Sequence, residues 1–176
     1  FVLKSGNDQR YFDTVSAAYR KTAKKEIELK NSFLLERGPY TIAAVLNESV
    51  SDAPMELSGL YIDLFDKDLP VLTKKQIQPG EQGYLYDLNK VSGKVKAKVL
   101  CGASRIYDEK VGKQNYSFVA KSPLETTNVS RVLLPSKPKT VKVNGKSEQG
   151  EWDETSKTLL LSFENDPNGV NVSIEW

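Results

Sequence analysis

The run Val141–Phe163, VKVNGKSEQGEWDETSKTLLLSF, decides how this chain is read. Val141 and Val143 alternate with Lys142, Asn144-Gly145 follows at once, and a second apolar run, KTLLLSF, closes the stretch. A period of two belongs to a β-strand with one buried face. Asn-Gly is the dipeptide that a tight hairpin turn demands. Trp152 lies between the two runs, at the start of a short strand bounded by NGKSEQG and DETSK. An indole there packs over the end of a sandwich with its N–H on a carbonyl, or it offers a flat face to a sugar ring. Packing is the preferred reading, and sugar stacking stays open beside it.

The same period continues outward from this run. In GVNVSIEW, Val170, Val172, Ile174 and Trp176 share a face against Asn171, Ser173 and Glu175, which places Trp176 with the buried set. PYTIAAVLNES sets Tyr40, Ile42, Ala44 and Leu46 on one face and Ala43 and Val45 on the other, so the strand is central. GLYIDLF reads the same way, and KKQIQPGEQGYLYDL is two strands around Pro79-Gly80. YSFVAKS and NVSRVLL add two more, and KVKAKVLCGAS sets Lys94, Lys96 and Lys98 against Val95, Ala97 and Val99. Only Gln9–Lys25 changes period. There Tyr11, Phe12, Val15, Ala18 and Tyr19 recur at helical spacing, with basic residues crowding the C-terminal turns, where the helix dipole favours them. Strands that follow one helix without alternating with helices predict a mainly β fold, an antiparallel two-sheet sandwich of immunoglobulin-like or jelly-roll-like type. The expected division is a helical connector or remnant of a preceding domain over 1–31 and a β-sandwich domain over 32–176. A softer break falls at Leu134–Thr140.

Composition then narrows the chemistry. With 176 residues the chain is long enough to bury a sizeable core without staples. It holds no histidine, which removes the commonest general base, the histidine-dependent nucleophile arrangements and most transition-metal sites. The single cysteine, Cys101, lies in an apolar run and reads as packing. A net charge of +2 gives no electrostatic reason to expect nucleic acid, and no apolar run approaches the ~18 residues of a membrane span. The start at Phe1 reads as a piece of a longer protein.

No residue is assigned a catalytic role. Asp63, Asp66 and Asp68, in YIDLFDKDLP, are the closest carboxylates; they read first as turn formers. A calcium site is the only cofactor expectation, and their spacing departs from the EF-hand loop. A glycosidase-type acid pair is the remaining alternative. Tyr84, Tyr86, Arg105 and Tyr107 supply flat amphipathic surfaces suited to carbohydrate, with Trp152 as the fifth candidate ligand contact. The lysine row Lys94, Lys96 and Lys98 reads as a guard against edge-to-edge pairing rather than a polyanion site. Four Asn-X-Ser sequons occur, at Asn47, Asn115, Asn128 and Asn171.

Taken together, FLLERGPYTIAAVLNESVSD, GLYIDLFDKDLPVL, IQPGEQGYLYDL and the ending VKVNGK…EWDETSKTLLLSFENDPNGVNVSIEW carry a resemblance. They resemble the β-sandwich domains that follow the catalytic domain in bacterial glycoside hydrolases and related polysaccharide-utilisation proteins. The resemblance covers 32–176 and implies a non-catalytic accessory domain of a larger, exported carbohydrate-active protein, in the periplasm or at the cell surface. It implies a catalytic domain in the same chain as partner, and a role in stabilising that domain or holding polysaccharide. Two alternatives remain: a shared active site to which Asp63 or Asp66 lends a carboxylate, and a cell-surface adhesion domain.

Overall fold

The computed structural model describes residues 8–47, 51–91, 93 and 95–176. Helix α1, Asp8–Ala23, carries Arg20 and Lys21 in its last turn. It stops where Lys24 turns to φ 58° with its N–H on the Arg20 carbonyl at 3.0 Å. Its rings at Tyr11 and Phe12 stay exposed and meet edge-on at 5.9 Å.

Among the described residues, everything after the helix is strand, turn or loop, save one 3-10 turn at Leu88–Lys90. Strands β1 (Ser32–Arg37), β2 (Tyr40–Val45), β3 (Met55–Asp63), β4 (Val71–Ile77) and β5 (Gln82–Asp87) form a first sheet in the order β1-β2-β5-β3-β4. The remaining strands are β6 (Lys98–Gly102), β7 (Arg105–Val111), β8 (Asn115–Lys121), β9 (Thr127–Leu133), β10 (Thr140–Val143), β11 (Lys146–Ser147), β12 (Glu151–Asp153), β13 (Thr158–Glu164) and β14 (Val170–Glu175). They divide into a middle sheet, β12-β13-β9-β6, and a third sheet, β11-β10-β14-β8-β7. Neighbouring strands run antiparallel throughout, including β13 against β9 and β14 against β8.

The fold is mainly β with one helix, as the alternation predicts, and its strands make three sheets. Alternation explains the stack. Val132 on β9 and Leu159, Leu161 and Phe163 on β13 face Tyr116, Phe118, Val172 and Ile174 of the third sheet across a hydrophobic core. The intervening residues of the same middle strands, Val129, Leu133 and Leu160, face the first sheet instead and pack with its Ile62 and Tyr86. The middle sheet is therefore covered on both sides, and the two-layer sandwich gains a third layer. A third small cluster, Ala43, Val45 and Ile77, fills the far side of the first sheet.

Turn chemistry fixes the hairpins. Asn144 and Gly145 both take positive φ, 48° and 79°, between the paired Val143 and Lys146, the backbone that a two-residue hairpin needs. Trp176 packs against the main core with the buried face of β14, as its alternation predicts. The KVKAKVLCGAS reading changes: the strand begins only at Lys98, and its register with β9 shifts between Val99 and Cys101. Val99 enters the main core while the next residue, Leu100, enters the second one. Lys96 and Lys98 are exposed, and Lys94 lies outside the described residues.

Candidate functional site: a groove between the first and middle sheets

Where the first sheet crosses the middle one, their contact is incomplete and leaves an open groove of about 840 Å³. That size falls in the range of small-ligand sites. The first sheet supplies an aromatic wall. The pairing of Ile42 with Tyr84 and of Tyr40 with Tyr86 sets all four side chains on one sheet face. The Tyr40 and Tyr84 rings stack at 5.7 Å and 26°, and Phe65, just beyond β3, meets Tyr84 at 5.9 Å. Phe65 is 62% exposed. Across the groove stand Leu100, Cys101, Thr127, Val129 and Ser162 of the middle sheet.

The rim is the loop Asp66–Leu69. Asp66 accepts the Asp68 N–H on Oδ1 at 2.9 Å, which closes a tight turn, and both Asp68 carboxylate oxygens lie 2.8 Å from Lys67 Nζ. Leu69 ends the loop at φ 46°, a left-handed conformation costly for a branched side chain. Two things hold it there: its buried side chain in the second core, and Arg131 of β9, whose Nε donates to the Leu69 carbonyl at 2.8 Å. Arg131 is itself 7% exposed, and burial pulls its guanidinium below the usual arginine range. A buried charge from the middle sheet thus fixes the position of a loop of the first.

Each sequence candidate has a definite place. Tyr84, Asp66 and Asp68 line the groove together. Tyr86 does not: it is buried in the second core, edge-on to Tyr40 at 5.5 Å, and burial raises its phenol pKa. Asp63 points to the far side of the first sheet, paired with Leu85. There Lys75 Nζ reaches its Oδ2 at 2.7 Å, while Oδ1 accepts the Phe65 N–H at 3.1 Å. The three aspartates therefore do not converge. Among the described residues, no group of three or more Asp, Glu or Cys side chains is placed to hold a metal ion.

Arg105 and Tyr107 lie on β7 of the third sheet, where Lys121 Nζ sits 5.6 Å from the Tyr107 ring centre. Trp152 packs against the main core and donates from Nε1 to Glu154 Oε2 at 2.6 Å. Neither set lines the groove. Cys101 does, half buried, with its thiol pushed up to about 11 by burial, so the reactive thiolate is scarce at neutral pH. Of the four sequon asparagines, Asn128 is 0% exposed and tied to Ser104 and Ser130, so it is closed to modification in the folded chain.

Sequence reasoning missed Tyr40, Phe65 and Arg131. The signal for Phe65 was present, an apolar ring set inside the acidic turn LFDKD. Arg131 had none, because NVSRVLL places it in a strand whose second buried face becomes evident only with the third layer.

No family model matches this chain, and no curated protein does. Among solved structures it is similar to a GH31 dextranase of Flavobacterium johnsoniae, a mutant form complexed with isomaltotriose, with 10% sequence identity and a TM-score of 0.41. The match takes in 92% of this chain and only 28% of that one.

Proposed function

We propose that this chain is a non-catalytic accessory module of a larger, exported carbohydrate-active protein, and that it holds a glycan in the groove between its first and middle sheets. One observation carries the reading: the Tyr40, Tyr84 and Phe65 rings form a wall beside the carboxylates of Asp66 and Asp68. A sugar ring has an apolar C–H face, which an aromatic ring covers, and a hydroxyl girdle, which carboxylates and hydroxyls such as those of Thr127 and Ser162 accept and donate to. The module's role is then to raise the local concentration of polysaccharide at a linked catalytic domain.

The rival reading, a lent catalytic carboxylate, is not favoured by the geometry. Asp63 is committed to Lys75, and Asp66 to the turn that shapes its own loop. Isothermal titration with maltohexaose, isomaltotriose, cellohexaose and xylohexaose separates the two. The proposal expects heat with at least one oligosaccharide and loss of that heat in Phe65→Ala. Flat heats with all four, alongside lowered turnover of a linked catalytic domain in Asp66→Asn, would favour the shared active site.

A further inference from the structure

The three sheets have six edges among the described residues, and five are guarded. Strand β4 carries Lys74 and Lys75, and its register with β3 shifts between Ser58 and Tyr61. Strand β7 is charged and its register with β8 shifts between Tyr107 and Lys110. Strand β6 shifts against β9, and β11 and β12 are only two and three residues long. Shifts, lysines and short length are the devices that keep an edge from pairing with another chain.

Strand β1 has none of them. It runs in unbroken register with β2 from Ser32 opposite Val45 to Arg37 opposite Tyr40. Its centre is Phe33, Leu34 and Leu35, which are 63%, 52% and 58% exposed. Successive side chains take opposite faces of the sheet, so both faces of this edge are apolar. An added strand finds apolar neighbours above and below the sheet as well as open backbone groups beside it.

We propose that β1 is a self-association edge: two copies of this chain pair β1 with β1, antiparallel, about a twofold axis normal to the sheet, and join two five-stranded sheets into one of ten. The sequence of the edge is complementary to itself when turned in this way. A twofold normal to the sheet keeps each face on its own side, so residues of like parity must meet. With Leu34 on the axis, Phe33 meets Leu35 of the second copy and Leu35 meets Phe33, so every exposed apolar residue of the strand gains an apolar partner. Glu36 falls opposite Ser32 of the second copy, diagonal to Lys30, and no two like charges face each other. Such an interface is isologous and closes at two copies.

The test is sedimentation velocity across a concentration series for the wild type, Leu34→Lys, Leu34→Glu and an equimolar mixture of the two variants, with circular dichroism to confirm that each is folded. Leu34 is exposed in the single chain, so both variants are expected to fold. The proposal expects a concentration-dependent dimer for the wild type. Each variant alone, with like charges opposed on the axis, weakens dimerisation by at least about tenfold, and the mixture restores it. A wild type that stays monomeric would leave the edge to a strand of some other protein and overturn the proposal. So would a dimer indifferent to both variants, or a mixture that stays monomeric. Leu34 pairs with Ala43 on the sheet face opposite Tyr40 and Tyr84, so its variants leave the aromatic wall of the groove intact and dimerisation is read separately from glycan binding.

Discussion

Phe65 and Lys75 show how neighbouring residues of one loop and one strand divide between binding and stability. Phe65 is exposed, with its ring against Tyr84, so Phe65→Ala costs little stability. The account expects glycan affinity to fall about tenfold, ~1.4 kcal/mol, in calorimetry. Trp152→Phe is the matched control. Its ring packs outside the groove, so affinity stays within about twofold of the wild type. Lys75 has the opposite character. Asp63 is buried, and Lys75 is its charge partner at 2.7 Å; Lys75→Met leaves a carboxylate uncompensated and lowers unfolding free energy by about 3 kcal/mol in urea titration, with glycan binding by the folded fraction retained. Sequence alone offered Asp63, Asp66 and Asp68 as a set. Asp63 ends β3 on the far face of the sheet, while Asp66 and Asp68 lie in the loop beyond it, and that separates the three.

At the scale of elements, the β12–β13 turn is the clearest case of local chemistry. Asp153 Oδ1 accepts from both the Ser156 N–H and the Ser156 hydroxyl at 2.6 Å, and these bonds hold the Asp153 pKa below its ordinary value. A carboxylate whose folded pKa is depressed adds stability that is complete above its unfolded pKa of about 3.9 and disappears as pH falls through the folded value. Ser156→Ala therefore costs about 1 kcal/mol at pH 7. That cost shrinks as pH is lowered below about 4, and paired urea titrations at the two pH values check it. Most strands were legible from their period, because a strand with a buried face must alternate. Two were not. Strands β1 and β7 are edges with exposed residues on both faces, so burial imposed no pattern on SFLLER or RIYDEKV.

For the whole molecule, the middle sheet ties the stack together, since β9 and β13 contribute to both cores. Leu161, 0% exposed in the larger core, is expected to cost about 3 kcal/mol as Leu161→Ala in urea denaturation. The antiparallel, mainly β class was readable because period and turn dipeptides are local. The partition into three sheets was not, because β5 inserts between β2 and β3, a long-range pairing that no alternation encodes. A strand covered on both faces by two different layers reads the same as one at the centre of a single sandwich. The groove inherits that limit, as its two walls come from different sheets, joined by Arg131 across 62 residues of chain.

The central claim, a glycan held between these walls, is tested most directly by backbone chemical-shift mapping during titration with the oligosaccharide of highest affinity. The account predicts shifts concentrated at Tyr40, Phe65–Leu69, Tyr84 and Cys101, with Trp152, Arg105 and Tyr107 unmoved. Shifts centred on Trp152 or on the outer face of β7, or no shifts with any glycan of the panel, would contradict it.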